Sequence, residues 1–93
     1  MPLFAVLSTL TDEGAKTLKE RPNRVKEVNK ELAKLGVRVL NQYAVLGECD
    51  FLNIVEADST ATIAKAMVEL ASRGTLRTKT LPLIPLEEFL RQG

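Results

Sequence analysis

A short turn at the middle of the chain, Leu46-Gly47-Glu48-Cys49-Asp50-Phe51, separates two apolar, β-branched runs, Val37 to Leu46 and Phe51 to Ala57. Glycine tolerates the positive φ that tight turns demand, and aspartate can hydrogen-bond turn backbone through its side chain. Two such runs on either side of a short turn predict a β-hairpin. The hairpin falls at the centre of the 93-residue chain, with a flank on either side of it.

Both flanks read as a strand and a helix. Leu3 to Leu10 has strand length and composition. Thr11 follows as an N-cap, with Asp12 and Glu13 complementing the positive end of a helix dipole. Pro22 interrupts that helix, so a short helix near 12–19 is expected, and a longer one restarting near Pro22, where a first-turn proline loses no hydrogen bond. Val25, Val28, Leu32 and Leu35 then form one apolar stripe, and Gly36 stands where a left-handed C′ residue ends a helix. The opposite side carries Lys26, Glu27, Lys30, Glu31 and Lys34, a solvated face in which Glu27–Lys30 and Glu31–Lys34 can pair.

After the hairpin, Asp58 or Ser59 caps a helix in which Ile63, Met67, Leu70 and Ala71 share a face, and Gly74 follows it. Thr75 to Leu81 reads as a fourth strand, stopped by Pro82, with Leu86 to Leu90 able to form a last helical turn or two beyond Pro85. The order is strand, helix, strand, strand, helix, strand over a single domain, residues 1–93. That is the α+β, ferredoxin-like βαββαβ arrangement: a four-stranded antiparallel sheet with two helices on one face.

Composition removes several classes of function. Thirteen Lys+Arg against twelve Asp+Glu leave a formal charge of +1, too little to drive binding to nucleic acid, and no tryptophan is present to stack on bases. The apolar N-terminal run is too short to span a membrane and has no basic residue before it, so neither a membrane nor a secretory signal is implied. With no histidine, Ser-His-Asp, Cys-His and histidine metal sites are excluded within one chain. The single Cys49 cannot make an internal disulfide and suits a reducing, cytoplasmic location. No cofactor or metal is implied, and no set of catalytic residues emerges.

Helices cover only one face of such a sheet. Strand one is apolar at consecutive positions, Leu3-Phe4-Ala5-Val6-Leu7, and Phe51-Leu52 and Ile54-Val55 repeat the pattern. Strands buried on both faces look like this. Burying roughly 500 Å² at ~25 cal/mol per Å² contributes on the order of 12 kcal/mol, against an association cost of ~4–15 kcal/mol. The chain is expected to partner itself, as a homodimer with sheets packed face to face or as a higher assembly.

Candidate ligand-binding residues depend on the hairpin register. A three-residue loop, Gly47 to Cys49, puts Tyr43 and Asn53 on one face with Asn41 beside them; Arg77 and Lys79 share a face of strand four. Such a cluster, walled by Phe51 and Val55, could hold an anion or an enol oxygen between two sheets. A two-residue loop shifts the register by one and separates Tyr43 from Asn53. The same polar residues could equally satisfy one another at an interface. Cys49 is a poor nucleophile between Glu48 and Asp50, which disfavour the thiolate.

Three stretches together resemble the GYD domain family: Leu7-Ser8 with Leu10-Thr11-Asp12-x-Gly14, then Gly47-x-x-Asp50-Phe51, then Gly74-x-x-Arg77-Thr78-x-Thr80-Leu81. The resemblance implies a ferredoxin-like fold of the dimeric α+β barrel kind and brings no established activity. Of the family motif, Gly47 and Asp50 match, while Cys49 stands where the tyrosine of the family name is found. The resulting expectation is a small-molecule binding module using the cavity between sheets. The alternatives are a structural assembly protein with no ligand and a cofactor-independent isomerase or monooxygenase.

Overall fold

The computed structural model describes residues 1–91. Its elements are β1 (Leu3–Leu10), α1 (Asp12–Glu20), α2 (Arg24–Lys34), β2 (Val37–Ala44), β3 (Phe51–Ala57), α3 (Thr60–Ala71), β4 (Leu76–Leu83) and α4 (Leu86–Arg91). The strands form one antiparallel sheet in the order β2-β3-β1-β4, the ferredoxin-like topology. The first crossover holds two helices rather than one, since the chain turns at Pro22 between α1 and α2.

Local chemistry accounts for the ends of the elements. The Thr11 side chain accepts the Gly14 N–H at 3.1 Å, and Ser59 rather than Asp58 caps α3 by accepting the Thr62 N–H at 3.2 Å. Gly36 and Gly74 end α2 and the α3 segment at φ of +87° and +74°. β4 runs on through Pro82 to Leu83 instead of stopping there. Proline is tolerated because β4 is an edge strand, with no ladder to serve on its outer side.

The core lies between one face of the sheet and the helices. Phe4, Val6, Val37, Val55 and Ala57 meet Leu32 of α2 and Ile63, Ala66, Met67 and Leu70 of α3. Two expected core positions are not used: Leu35 and Ala71 are exposed, and Ala66 takes the place foreseen for Ala71. α1 is fastened by backbone. The Thr11 N–H donates to Thr75 O at 3.0 Å and the Thr11 hydroxyl to Gly74 O at 2.7 Å. Gly14 is buried so close to β4 that a Cβ there would lie 1.8 Å from Thr75 O.

Register is set by the hairpin. Val45 N–H donates to Asp50 O at 2.8 Å, leaving a four-residue loop from Leu46 to Cys49. Tyr43 consequently pairs with Leu52 and Gln42 with Asn53. Further along, Val39 pairs with Val55, while Asn41 pairs with Ile54, so Leu40 is an extra, bulged residue. The bulge returns Val37 and Val39 to the helix side; without it the register of the loop would turn both to the other face.

Candidate functional site

Alternation along the strands sorts the sheet into two surfaces with different chemistry. The open face reads in cross-strand rows: Arg38, Glu56, Leu3 and Leu83; Asn41, Ile54, Ala5 and Leu81; Tyr43, Leu52, Leu7 and Lys79. Its centre is apolar; Arg38, Asn41 and Tyr43 stand on edge strand β2 and Arg77 and Lys79 on edge strand β4, while Glu56 of β3 pairs with Arg38 at one end at 3.3 Å. The helix side reads Gln42, Asn53, Val6 and Thr80, then Ala44, Phe51, Ser8 and Thr78.

The five residues singled out as a ligand cluster are therefore not together. Asn41 and Tyr43 lie on β2 and Arg77 and Lys79 on β4, at opposite edges of the sheet and about 14 Å apart at the ~4.8 Å spacing of strands. Asn53 is on the other face altogether, beneath the helices, along with Phe51 and Val55. The four-residue loop has the parity of the shorter alternative considered above, and that parity separates Tyr43 from Asn53.

The motif residues have structural assignments. Asp50 does not brace its own turn. Its carboxylate accepts the Leu10 N–H at 2.7 Å, and its N–H donates to Ser8 O at 2.8 Å, so it locks the hairpin loop to the end of β1. Cys49 is buried and free, out of reach of a substrate in solution. Gly47 has nothing within 4 Å of where a Cβ would sit. Among the described residues no group of three or more His, Cys, Asp or Glu could hold a metal ion. No helix there is long and apolar enough to cross a membrane.

A cavity of about 140 Å³ lies between the helix side of the sheet and α1 to α3. Its walls are mainly apolar, with Val6, Leu10, Val28, Leu32, Met67 and Leu70 among them, and Ser8, Gln42 and Asn53 bring polar groups to the sheet side. Gln42 Oε1 accepts a hydrogen bond from Asn29 Nδ2 at 2.9 Å. Asn53 is 9% exposed, and its Oδ1 is buried with no hydrogen-bond partner. The sequence picks out Asn53, with Phe51 and Val55 beside it, but singles out neither Ser8, Gln42 nor Asn29.

Charge gathers at the rim of this cavity. Glu31 of α2 binds Arg24 Nη1 at 3.0 Å through one carboxylate oxygen and Arg73, just beyond α3, through the other. Glu27 pairs with Arg21 and Arg24 at 3.3 and 3.4 Å, and Arg73 reaches Glu69 at 3.6 Å. These contacts replace the expected Glu27–Lys30 and Glu31–Lys34 pairs. The hydrogen bonds from Arg73 and then Arg24 hold the Glu31 carboxyl below its usual range. The same bond to Glu31 raises the Arg24 guanidinium above its ordinary value. The network fastens α2 to the end of α3.

Known proteins fit this picture. The family model for the GYD domain matches residues 4–92. The chain is 58% identical over 91 residues to a protein of Thermus thermophilus named glutamine synthetase and cystathionine beta-lyase binding protein, covering 97% of this chain and 96% of that one. The crystal structure of TTHA0845, also from Thermus thermophilus, shares the fold, with a TM-score of 0.57 and 24% identity over 91% of this chain and 95% of that one. The chain belongs to the GYD domain family.

Proposed function

We propose that this GYD domain protein is a protein-binding module that works as a homodimer, sheet face against sheet face, with other enzymes as its partners. The observation that carries the reading is the uncovered apolar surface. At the centre of the open face Leu7, Leu52 and Ile54 are half-buried and Leu81 exposed around a buried Ala5, and every residue from Leu81 to Arg91 is exposed, including Ile84, Leu86, Phe89 and Leu90. Monomers rarely expose contiguous apolar patches beyond ~300–600 Å².

Area supports a second copy as the occupant. Four strands at ~4.8 Å spacing and about seven residues at ~3.3 Å give a face on the order of 450 Å². A stable interface takes about 800 Å² per partner. The sheet alone falls short, and the exposed stretch from Ile84 to Leu90 supplies the difference when it lies across the other copy. The face also has the anatomy of an interface, apolar in the middle and polar at the rim, where Arg38, Asn41, Tyr43, Arg77 and Lys79 stand. Among the described residues Arg77 and Lys79 enter no ion pair, which leaves them for a carboxylate on a partner.

The class of partner rests on the relative named for binding glutamine synthetase and cystathionine beta-lyase. In the dimer the outer faces of α1 to α3 remain for such enzymes. The test combines light scattering with interferometry against the two purified enzymes. A dimer at tens of micromolar, converted to a folded monomer by Leu81→Arg, is the expected result, with binding to at least one enzyme by the wild type. A monomeric wild type refutes the assembly. A dimer that binds neither enzyme refutes the partner.

A further inference from the structure

We propose that the cavity between the sheet and α1 to α3 is a binding site for a small uncharged molecule that presents an N–H beside a carbonyl on an apolar body, as a lactam does. The starting point is Asn53. Its side chain lines this cavity, and its carbonyl oxygen is fully buried with no hydrogen-bond partner, whereas buried polar groups in folded proteins are nearly always paired. The neighbouring Gln42, whose oxygen accepts from Asn29, makes no hydrogen bond to it.

Size and charge define the ligand further. The 140 Å³ volume is close to that of an apolar cavity able to admit a benzene ring, so a molecule of roughly six to eight heavy atoms fits. Leu10, Val28, Leu32 and Met67 suit an apolar body. The charges at the rim are spent on one another: Glu31 holds both Arg24 and Arg73. A charged ligand would shed its hydration without gaining a free counter-ion. A carboxamide edge offers one acceptor and, beside it, donor N–H groups. The matching edge on a ligand is therefore an N–H to meet Oδ1 and a carbonyl to meet Nδ2.

This site lies across the sheet from the proposed dimer face, so its test does not depend on assembly. Two ring compounds of equal size separate the hydrogen bond from mere filling: δ-valerolactam, and cyclohexanone, which lacks the N–H. Each is titrated into ¹⁵N-labelled wild-type protein and followed by amide shifts. The lactam should bind saturably, at least tenfold tighter than cyclohexanone, with the largest shifts at Val6, Asn53 and Leu70. Asn53→Leu should abolish that preference while leaving the dimer or monomer state of the protein unchanged. Equal affinity for the two rings, no saturable binding by either, or shifts confined to the open face would overturn the proposal. So would a crystal soaked in lactam that shows only water on Asn53. If Asn53→Leu does not fold, the comparison of the two rings on the wild type still decides.

Discussion

Replacing Gly14 by alanine separates two opposing effects. In an ordinary helix interior the change stabilises by about 1 kcal/mol, because alanine loses less backbone entropy. Here the added Cβ would sit 1.8 Å from Thr75 O and 2.8 Å from Thr75 C, and Leu10 Cδ2 is 3.3 Å away. The nearest atoms are backbone and cannot rotate aside. Relief to an ordinary contact requires α1 to lift from the start of β4 by more than an ångström. That movement strains the two bonds that Thr11 makes to this segment, at 3.0 Å to Thr75 O and 2.7 Å to Gly74 O.

Overpacking costs ~1–3 kcal/mol, and each compromised hydrogen bond ~0.5–1.5 kcal/mol. Set against the gain in propensity, the expected net loss is about 3 kcal/mol. For a domain of this length that lowers Tm by on the order of 15 °C. Urea unfolding of wild type and Gly14→Ala at one protein concentration measures it, the concentration being fixed because assembly contributes to apparent stability. A variant as stable as the wild type, or more so, would show that helix propensity governs this position and that α1 does not lie against Thr75 as described.

Asp50→Ala should cost ~1.5–3 kcal/mol, since it leaves the Leu10 N–H without its charged acceptor. The Leu10 amide should then exchange faster with solvent, and Asp50→Asn should recover most of the loss; unchanged exchange at Leu10 would contradict the assignment. Glu31 titrates below its ordinary value of 4.5 when folded. Its contribution is therefore present above that value and fades as pH falls through the lower folded one. Glu31→Gln should flatten the acid limb of the stability profile and change stability at pH 7 by less than ~1 kcal/mol, as befits a pair about one-third exposed. An acid limb identical in both proteins would rule the pairing out. Gly36→Ala meets φ of +87° and Thr62 Cγ2 at 3.1 Å, and should lose ~1–2 kcal/mol by chemical denaturation.

What is legible in the sequence is what short-range physics decides. Thr11 and Gly36 act as their neighbours predict, and the consecutive apolar residues of β1 place Phe4 and Val6 in the core with Leu3, Ala5 and Leu7 on the open face. The ion network is not legible, because helix spacing points Glu31 at Lys34, whereas its partner Arg73 lies 42 residues away and arrives only through the packing of α3. The ferredoxin-like order already makes β4 an edge strand, yet Pro82 read by itself is a stop, and only the pairing with β1 shows that the strand continues to Leu83. The face occupied by Asn53 turns on loop length. Turn chemistry marks where the loop is, but loops of three and four residues share the same residue preferences and place the β2 side chains next to the loop, Asn41 to Ala44, oppositely.

One signal of the true register is present. Val37 and Val39 alternate with polar neighbours, and Leu40 directly after Val39 breaks the alternation. That break is the bulge, and its effect reaches both surfaces of the protein. The four-residue loop sets Gln42 opposite Asn53 on the helix side, while the bulge keeps Val37 and Val39 in the core on the same side. Asn41 and Tyr43 are thereby sent to the open face, at its rim, and the centre of that face is left to Ala5, Leu7, Leu52 and Ile54. A single register thus segregates the unpaired carboxamide from the apolar centre. The sheet can bury one face against another copy while its other face keeps a polar atom in reserve for a small guest, and neither role needs residues from the other.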